Sequence, residues 1–214
     1  MTSTSEQATE IRTLAANHGM IIEADKSEAL AHYCQLVWSW NERLNLTRHT
    51  TNELFVIRDL LDTVRLADHI PQNATVLDVG SGGGVPGIPL AVLRPDLAVS
   101  LCESVGKKAA ALTEIVKQLG IHVNVYSSRV QDLLPQKRFA WITVRAVGAL
   151  DKLLPWFPDL RQSGSTLLLI KGPKWTEELQ EAQKSGNARG RRIERIASWA
   201  SPGRDGNSVL LRVQ

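Results

Sequence analysis

The stretch VLDVGSGGGVPGIP, residues 76–89, is an apolar run that breaks into a bend holding five glycines and two prolines. Glycine loses more conformational freedom on folding than any other residue. Five of them (Gly80, Gly82, Gly83, Gly84 and Gly87) therefore mark backbone that takes positive φ or lies against a close neighbour. Val76, Leu77 and Val79 read as a strand. Pro86 suits a first helical turn, where its missing N–H would be unpaired anyway. Strand, glycine turn and helix make the first βα unit of an open α/β sheet, where ligands bind beyond the carboxyl ends of the strands.

Working outward, residues 1–70 carry no strand signal and read as helical. DKSE at 25–28 fits a capping box, with Asp25 as cap and Glu28 three residues later. Leu30, Tyr33, Cys34, Val37 and Trp38 then recur at helical spacing, and 51–68 repeats the pattern with Leu54, Ile57, Leu61 and Val64. From residue 75 short β-branched runs alternate with helical stretches. Strands are predicted over 75–80, 98–103, 122–126, 139–145, 165–171, 191–199 and 207–213. Helices are predicted over 86–94, 106–119, 149–160 and 174–185. Strands separated by helices give parallel βαβ units covered on both faces. Only SPGRDGN, 201–207, joins the last two strands, too short for a crossover, so they form an antiparallel hairpin. The expected architecture is α/β: a seven-stranded, mostly parallel sheet with an antiparallel last strand. A helical cap, 1–70, precedes the sheet domain, 71–214, and HIPQN at 69–73 marks the boundary.

The 214 residues suit one compact unit, and 43% hydrophobic content supplies a substantial core. No apolar run is long enough to span a membrane. The start of the chain has neither the basic-then-apolar pattern of a secretion signal nor that of a presequence. Cys34 and Cys102 sit in apolar contexts, as buried reduced thiols do. These features describe a soluble cytoplasmic protein, expected to be a monomer. No cluster suggests a metal. Net charge is only +3, but KSGNARGRRIER, 184–195, holds five basic residues and one acid. Such a run attracts phosphate; a solvated loop leading into an edge strand is the competing reading.

The bend admits two ligand classes. Gly82-Gly83-Gly84-Val85-Pro86-Gly87 fits GxGxxG, the dinucleotide pattern of an NAD-dependent oxidoreductase. Asp78-Val79-Gly80-Ser81-Gly82-Gly83-Gly84 also fits an acid followed by alternating glycines. A carboxylate at that strand end repels a pyrophosphate and suits a ligand carrying an amino group and a sulfonium centre. S-adenosylmethionine has both. Asp78 as a turn cap is the alternative. Glu103, about 20 residues beyond the glycines, can take both ribose hydroxyls in either class. The end of the third strand, NVYSSRVQD at 124–132, is the usual neighbourhood of an adenine.

With these features placed, the sequence resembles the RsmG (GidB) family of 16S rRNA 7-methylguanosine methyltransferases. The matching stretches are WNERLNLT (40–47), LDVGSGGGVPGIPLA (77–91), SVGKKAAAL (104–112), SRVQDL (128–133), VRAV (144–147) and LIKG (169–172). The resemblance implies a Rossmann-like class I S-adenosylmethionine-dependent methyltransferase that acts on nitrogen 7 of a guanosine in 16S rRNA, the family target being guanosine 527. The partner it implies is 16S rRNA or the 30S subunit. Carried over by position, Gly80 and Val85 would contact the cofactor, Val130 and Gln131 would flank its adenine, and Arg145 would lie near its reactive end. Departures from the family pattern are Gln131 for Glu, Val85 for Leu, Glu103 for Asp, and DLLDT (59–63) for His-Ile-Leu-Asp-Ser, which puts Asp59 where an imidazole is usual.

Guanine nitrogen 7 has a free lone pair and needs no deprotonation, so alignment and charge control are what remain for the protein. No Asn/Asp-Pro-Pro-Tyr/Phe motif follows the fourth strand, which argues against methylation of an exocyclic amine. Arg145, after FAWITV, is the leading charged candidate for holding a phosphate or the guanine edge; a salt bridge at the sheet rim competes. Lys171 is a second candidate. Asn41 and Asn45, at i and i+4, share a helix face and would reach over the cleft or cap the helix end. Trp38 and Trp40 could stack on a base, though core packing suits Trp38 better. Lys107 and Lys108, with Arg189, Arg191 and Arg192 of the basic run, are the expected phosphate contacts. A non-catalytic RNA-binding assembly factor and a small-molecule methyltransferase remain as other readings.

Overall fold

The computed structural model describes residues 3–158, 160–203 and 205–214. Helices α1 (Thr4–Asn17) and α2 (Ala24–Asn41) open the chain. A third helical segment runs from α3 (Asn52–Leu54) through a π-helical stretch (Phe55–Leu60) into α4 (Leu61–Ala67). The sheet region follows as β1 (Thr75–Val79), α5 (Gly87–Leu93), β2 (Ala98–Glu103), α6 (Gly106–Leu119), β3 (Asn124–Ser127), α7 (Val130–Leu133) and β4 (Trp141–Arg145). It closes with α8 (Leu150–Leu153), a 3-10 turn (Leu154–Trp156), α9 (Leu160–Ser163), β5 (Thr166–Lys171), α10 (Trp175–Lys184), β6 (Ile193–Ala200) and β7 (Asn207–Val213).

The seven strands lie in the order β3-β2-β1-β4-β5-β7-β6. The first five are parallel, and β7 runs antiparallel to both β5 and β6. Chain order reverses between β1 and β4, the switch point where open sheets form their ligand crevice. Successive strand residues face opposite sides. Val76, Leu168, Ile170 and Leu210 enter one apolar cluster with α1, α2, α4, α5 and α6. Leu77, Leu167, Leu169 and Leu211 enter a second with α7 to α10. The N-terminal helices thus share a continuous core with one face of the sheet.

Five local expectations need correction. The first capping box lies not at 25–28 but at Ser3 and Glu6, which bond each other's backbone at the start of α1. Helix α2 starts earlier, with Glu23 as an N-cap that makes no side-chain bond, and Asp25 sits inside its first turn. The helix predicted over 149–160 is broken, because Pro155 and Pro158 remove donors it would need; part of that prediction falls on Asp159, outside the described residues. Helix α5 begins at Gly87, with Pro86 as its N-cap after a cis Val85–Pro86 peptide. Asn41 ends α2, so Asn45 does not share its helix face.

The glycines of the bend answer to close packing. A Cβ on Gly87 would meet Leu101 Cδ2 at 2.2 Å and Asp78 Oδ2 at 2.9 Å, and one on Gly84, already at φ +96°, would meet Ile88 Cδ1 at 2.6 Å. Gly87 has ordinary negative φ, so its requirement is purely steric. Gly87→Ala is expected to destabilise the fold by about 2–3 kcal/mol through overpacking; a urea midpoint equal to that of the parent chain would contradict this packing.

Candidate active site

Asp78 is the penultimate residue of β1 and is 1% exposed. Gly87 N–H donates to its Oδ2 at 3.3 Å, and Thr143 Oγ1 donates to Oδ1 at 3.1 Å. One carboxylate therefore ties β1 to the first residue of α5 and to β4. Burial pushes its pKa up to about 6, against the opposing pull of the hydroxyl and amide donors. The sequence reading placed this charge against a ligand; the structure turns it inward, under the bend, which is the turn-cap role. Glu103, 6% exposed, performs a similar task. Its Oε2 accepts from Gly82 N–H and its Oε1 from Val105 N–H, at 2.9 and 2.8 Å.

The N-terminal helices hold the bend from the other side. Tyr33 Oη donates to Gly83 O at 2.8 Å, in a buried setting. A Cβ on Gly83 would lie 3.1 Å from Leu46 O. Leu46 is placed in turn by Asn41, whose Oδ1 accepts from Leu46 N–H and Thr47 N–H. Asn41 is thus a capping residue, and Asn45 is exposed in the loop beyond it. Trp38 packs against the core and donates to His49 O.

Two cavities open at the carboxyl end of the sheet. The first, about 340 Å3, is lined by Gly80, Cys102, Ser128, Val130, Gln131 and Val147, among others. Three of the predicted cofactor residues, Gly80, Val130 and Gln131, meet here. Asp78, Gly82, Val85 and Glu103 do not line it and instead shape the bend beside it. Ser128 lines this cavity, and its Oγ is buried without a hydrogen-bond partner among the described residues. No sequence signal singled it out. The Cys102 thiol donates to Ser128 O, and burial raises its pKa to about 11, so it is no nucleophile.

The second cavity, about 320 Å3, is lined by His49, Asp62, Arg145, Ala146, Gly148 and Lys171, among others. The loop after β4 contributes to the walls of both. Ala146 and Gly148 face the second cavity and Val147 faces the first. Ala146 has φ +57°, a left-handed conformation rare outside glycine. Lys171 pins this divider: Nζ donates to Gly148 O at 2.5 Å and pairs with Glu178 at 2.6 Å.

Arg145 reaches the wall of the second cavity, but not as a free arm. Nη2 donates to Asp59 Oδ1 at 2.6 Å, and Nη1 donates to Asp62 Oδ2 at 3.3 Å and to Arg58 O at 3.1 Å. Burial disfavours its charge, yet Asp59 and Asp62 outweigh this and hold its pKa above the ordinary value. Asp59 Oδ1 also accepts from His49 Nδ1 at 2.9 Å, and Asp62 Oδ1 from Trp199 Nε1 at 3.0 Å. The rim salt bridge is thus the observed arrangement. Asp59 and Asp62 stand three apart on an otherwise apolar helical stripe, a signal that could have revealed them.

The basic residues divide by location. Lys107 and Lys108 start α6 at the mouth, beside exposed Val105, without lining either cavity. Arg189, Arg191 and Arg192 lie elsewhere. They precede β6, whose first residue pairs with Val213, itself paired with Leu167 near the start of β5. They sit at the amino end of the sheet, away from both cavities. Arg191 is structural: it donates to Leu154 O and Asn187 O, and burial lowers its pKa. Among the described residues no group of three His, Cys, Asp or Glu could hold a metal ion. No described helix is long and apolar enough to cross a membrane.

The switch-point crevice, the glycine bend and the terminal antiparallel strand define a Rossmann-like methyltransferase fold. The structure of TrmK from M. capricolum in complex with S-adenosyl-homocysteine matches with a TM-score of 0.55 at 12% identity, covering 72% of this chain and 67% of that one. The precorrin-6y C5,15-methyltransferase of Geobacter metallireducens gives 0.53 at 12% identity, covering 81% and 94%. At such identity the likeness is one of fold. Sequence goes further: the family model GidB, rRNA small subunit methyltransferase G, matches residues 26–205. The Ribosomal RNA small subunit methyltransferase G of Rhodopirellula baltica is 46% identical over 190 residues, covering 89% of this chain and 82% of that protein. That of Pseudomonas aeruginosa is 34% identical over 209 residues, covering 97% and 95%. The chain belongs to the rRNA small subunit methyltransferase G family.

The buried Asp78 carries a pH signature. Its unfolded carboxyl titrates near 4 and its folded one near 6. Below about pH 4 both states are protonated. Between about pH 4 and 6 only the unfolded state ionises, so stability falls as pH rises through that window and then levels. The stability of the parent chain minus that of Asp78→Asn should fall by about 3 kcal/mol across it. A flat difference, followed by urea unfolding at several pH values, would show that Asp78 is not desolvated.

Proposed function

We propose that this chain transfers a methyl group from S-adenosylmethionine to nitrogen 7 of guanosine 527 in 16S rRNA, presented free or in a 30S subunit, and does so as a cytoplasmic monomer. The observation that carries the reading is the pair of cavities on either side of the 146–148 loop. Family membership favours methyl transfer over the oxidoreductase reading of the same bend.

The first cavity fits the cofactor. A Cβ on Gly80 would lie 2.5 Å from Val147 Cγ2, so only glycine leaves this wall open. Unpartnered Ser128 Oγ is a polar atom awaiting a ligand. Gly80, Ser128, Val130 and Gln131 would hold it. When bound, S-adenosylmethionine supplies a methyl group activated on a sulfonium sulfur.

The second cavity fits the guanosine. Nitrogen 7 needs no base, and the cleft offers a fixed wall of charge instead. Asp59 and Asp62 lock Arg145, and Lys171 fixes the divider. These residues orient the acceptor, and the carboxylates that neutralise Arg145 and Lys171 keep bare cations from opposing the positive charge it gains. Asp59 and Asp62 are positioning residues that act through Arg145.

The test is incubation with labelled S-adenosylmethionine and either free 16S rRNA or 30S subunits, followed by mapping of 7-methylguanosine. Label at guanosine 527 is expected, and no label on either substrate would sink the reading. Arg145→Ala would strand two buried carboxylates and risk the fold. Arg145→Lys keeps the charge but loses the fork that spans Asp59 and Asp62. It should lower turnover by roughly 100-fold while cofactor affinity stays within about twofold. Near-parental turnover would remove the fork from the mechanism.

A further inference from the structure

The basic run at 184–195 is left unexplained by the cleft, because it lies at the other end of the sheet. A chain of hydrogen bonds shows what joins it there. Ser165 Oγ donates to Phe139 O at 2.7 Å, and Thr166 N–H to Ala140 O at 2.9 Å. Gln214 Nε2 donates to Thr166 Oγ1 at 3.3 Å, and Gln214 exchanges backbone bonds with Arg192 at 2.9 and 3.0 Å. The segments that lead into β4, β5 and β6 are therefore neighbours. Each brings exposed arginine: Arg138 before β4, Arg161 before β5, and Arg189 and Arg192 before β6.

Their charges are largely uncompensated. Arg192 pairs with Glu194, which Arg212 also engages. Among the described residues Arg138, Arg161 and Arg189 make no ion pair and no side-chain hydrogen bond. Beside Arg138 opens a cavity of about 320 Å3, lined also by Lys137, Trp156 and Gln162, the last being the chain neighbour of Arg161. Lys137 lies over the Tyr126 ring at 5.6 Å. Cations beside a half-buried aromatic such as Trp156 are ingredients of a sequence-tolerant nucleic-acid contact. Strand β5 has six residues, which separates the arginines before β4, β5 and β6 from the catalytic mouth by about 20 Å, while Gln131 and Trp156 line both this cavity and the first one.

We propose that the amino end of the sheet is a second RNA-binding surface, on which Arg138, Arg161 and Arg189 grip the phosphate backbone of a segment distant from the target guanosine. This rests on the rRNA reading above. It makes the enzyme grasp its substrate at two opposite ends, with the target base at one and a phosphate anchor at the other. Because the three arginines have no protein partner among the described residues, their replacement should leave the fold intact.

The test compares the parent chain with Arg138→Ala/Arg161→Ala/Arg189→Ala for binding to 30S subunits and to 16S rRNA across a KCl series. Each lost phosphate contact removes about 0.9 from the slope of log affinity against log salt. The triple variant should therefore bind more weakly, with a slope shallower by roughly 2–3. Cofactor affinity and thermal midpoint should match the parent, which shows that the fold is kept. Unchanged RNA affinity and slope would overturn the proposal. So would RNA affinity that holds while affinity for polyglutamate is lost, since the patch would then serve an acidic protein. A parent chain that methylates no RNA defeats the functional reading instead; a methylating parent with an indifferent variant defeats only this surface.

Discussion

The carboxylate of Asp78 is the constraint around which the site is assembled. Helix α5 begins at Gly87, where its first N–H is buried and has no helical partner. An unpaired buried donor costs about 1–3 kcal/mol. Asp78 answers that donor with one oxygen and Thr143 with the other, so β1, β4 and α5 converge on a single side chain. Its raised pKa measures the opposing cost of burial. The convergence also explains Gly87, because the helix start must approach Asp78 and Leu101 more closely than any Cβ permits. The glycines are as much a condition of this packing as an accommodation for a ligand.

The same bend couples the N-terminal helices to the cleft. Tyr33 and Leu46 touch Gly83, and Asn41 fixes the backbone that carries Leu46. Asp59 and Asp62 come from the third helical segment and meet Arg145 at the end of β4. Asp59 lies in the π-helical stretch, whose wider turn also presents Arg58 O to Arg145. The helices contribute one wall of the second cavity and share the apolar core of one sheet face. Site and helices are therefore one structure in the energetic sense.

What the sequence discloses follows from range. Period-two alternation, glycine punctuation and short connections are local, so the strands, the hairpin and the glycine bend are all legible in it. Gly80, Val130 and Gln131, which the family resemblance singled out, line one cavity at the carboxyl end of the sheet. The Arg145–Asp59 pair spans 86 positions, and nothing local announces it. Asp78 is misread for a different reason: a strand-end carboxylate can face outward or inward, and only the approach of Thr143 from β4 decides. The run at 184–195 could have been placed. It precedes a strand that follows a βα unit, and a segment before such a strand lies at the amino end.

Under the proposed reading, the division between fixed and open groups matches the chemistry. A nucleophile with a ready lone pair needs no proton acceptor, and His49 Nδ1 is already committed to Asp59. Arg145 and Lys171 are committed as well, to carboxylates and to the divider loop. Cations neutralised and fixed in this way neither reorganise nor stand bare against the positive charge that reaches the acceptor base. The unpartnered polar atom, Ser128 Oγ, belongs to a residue on the other side of the divider. A loop of three residues, braced from below by Lys171 and packed against Gly80 through Val147, thus separates a rigid charged chamber from one that still has a bond to make. Loss of the brace would blur that separation before it disturbed the sheet, because Lys171 ends β5 with its backbone already paired to β7.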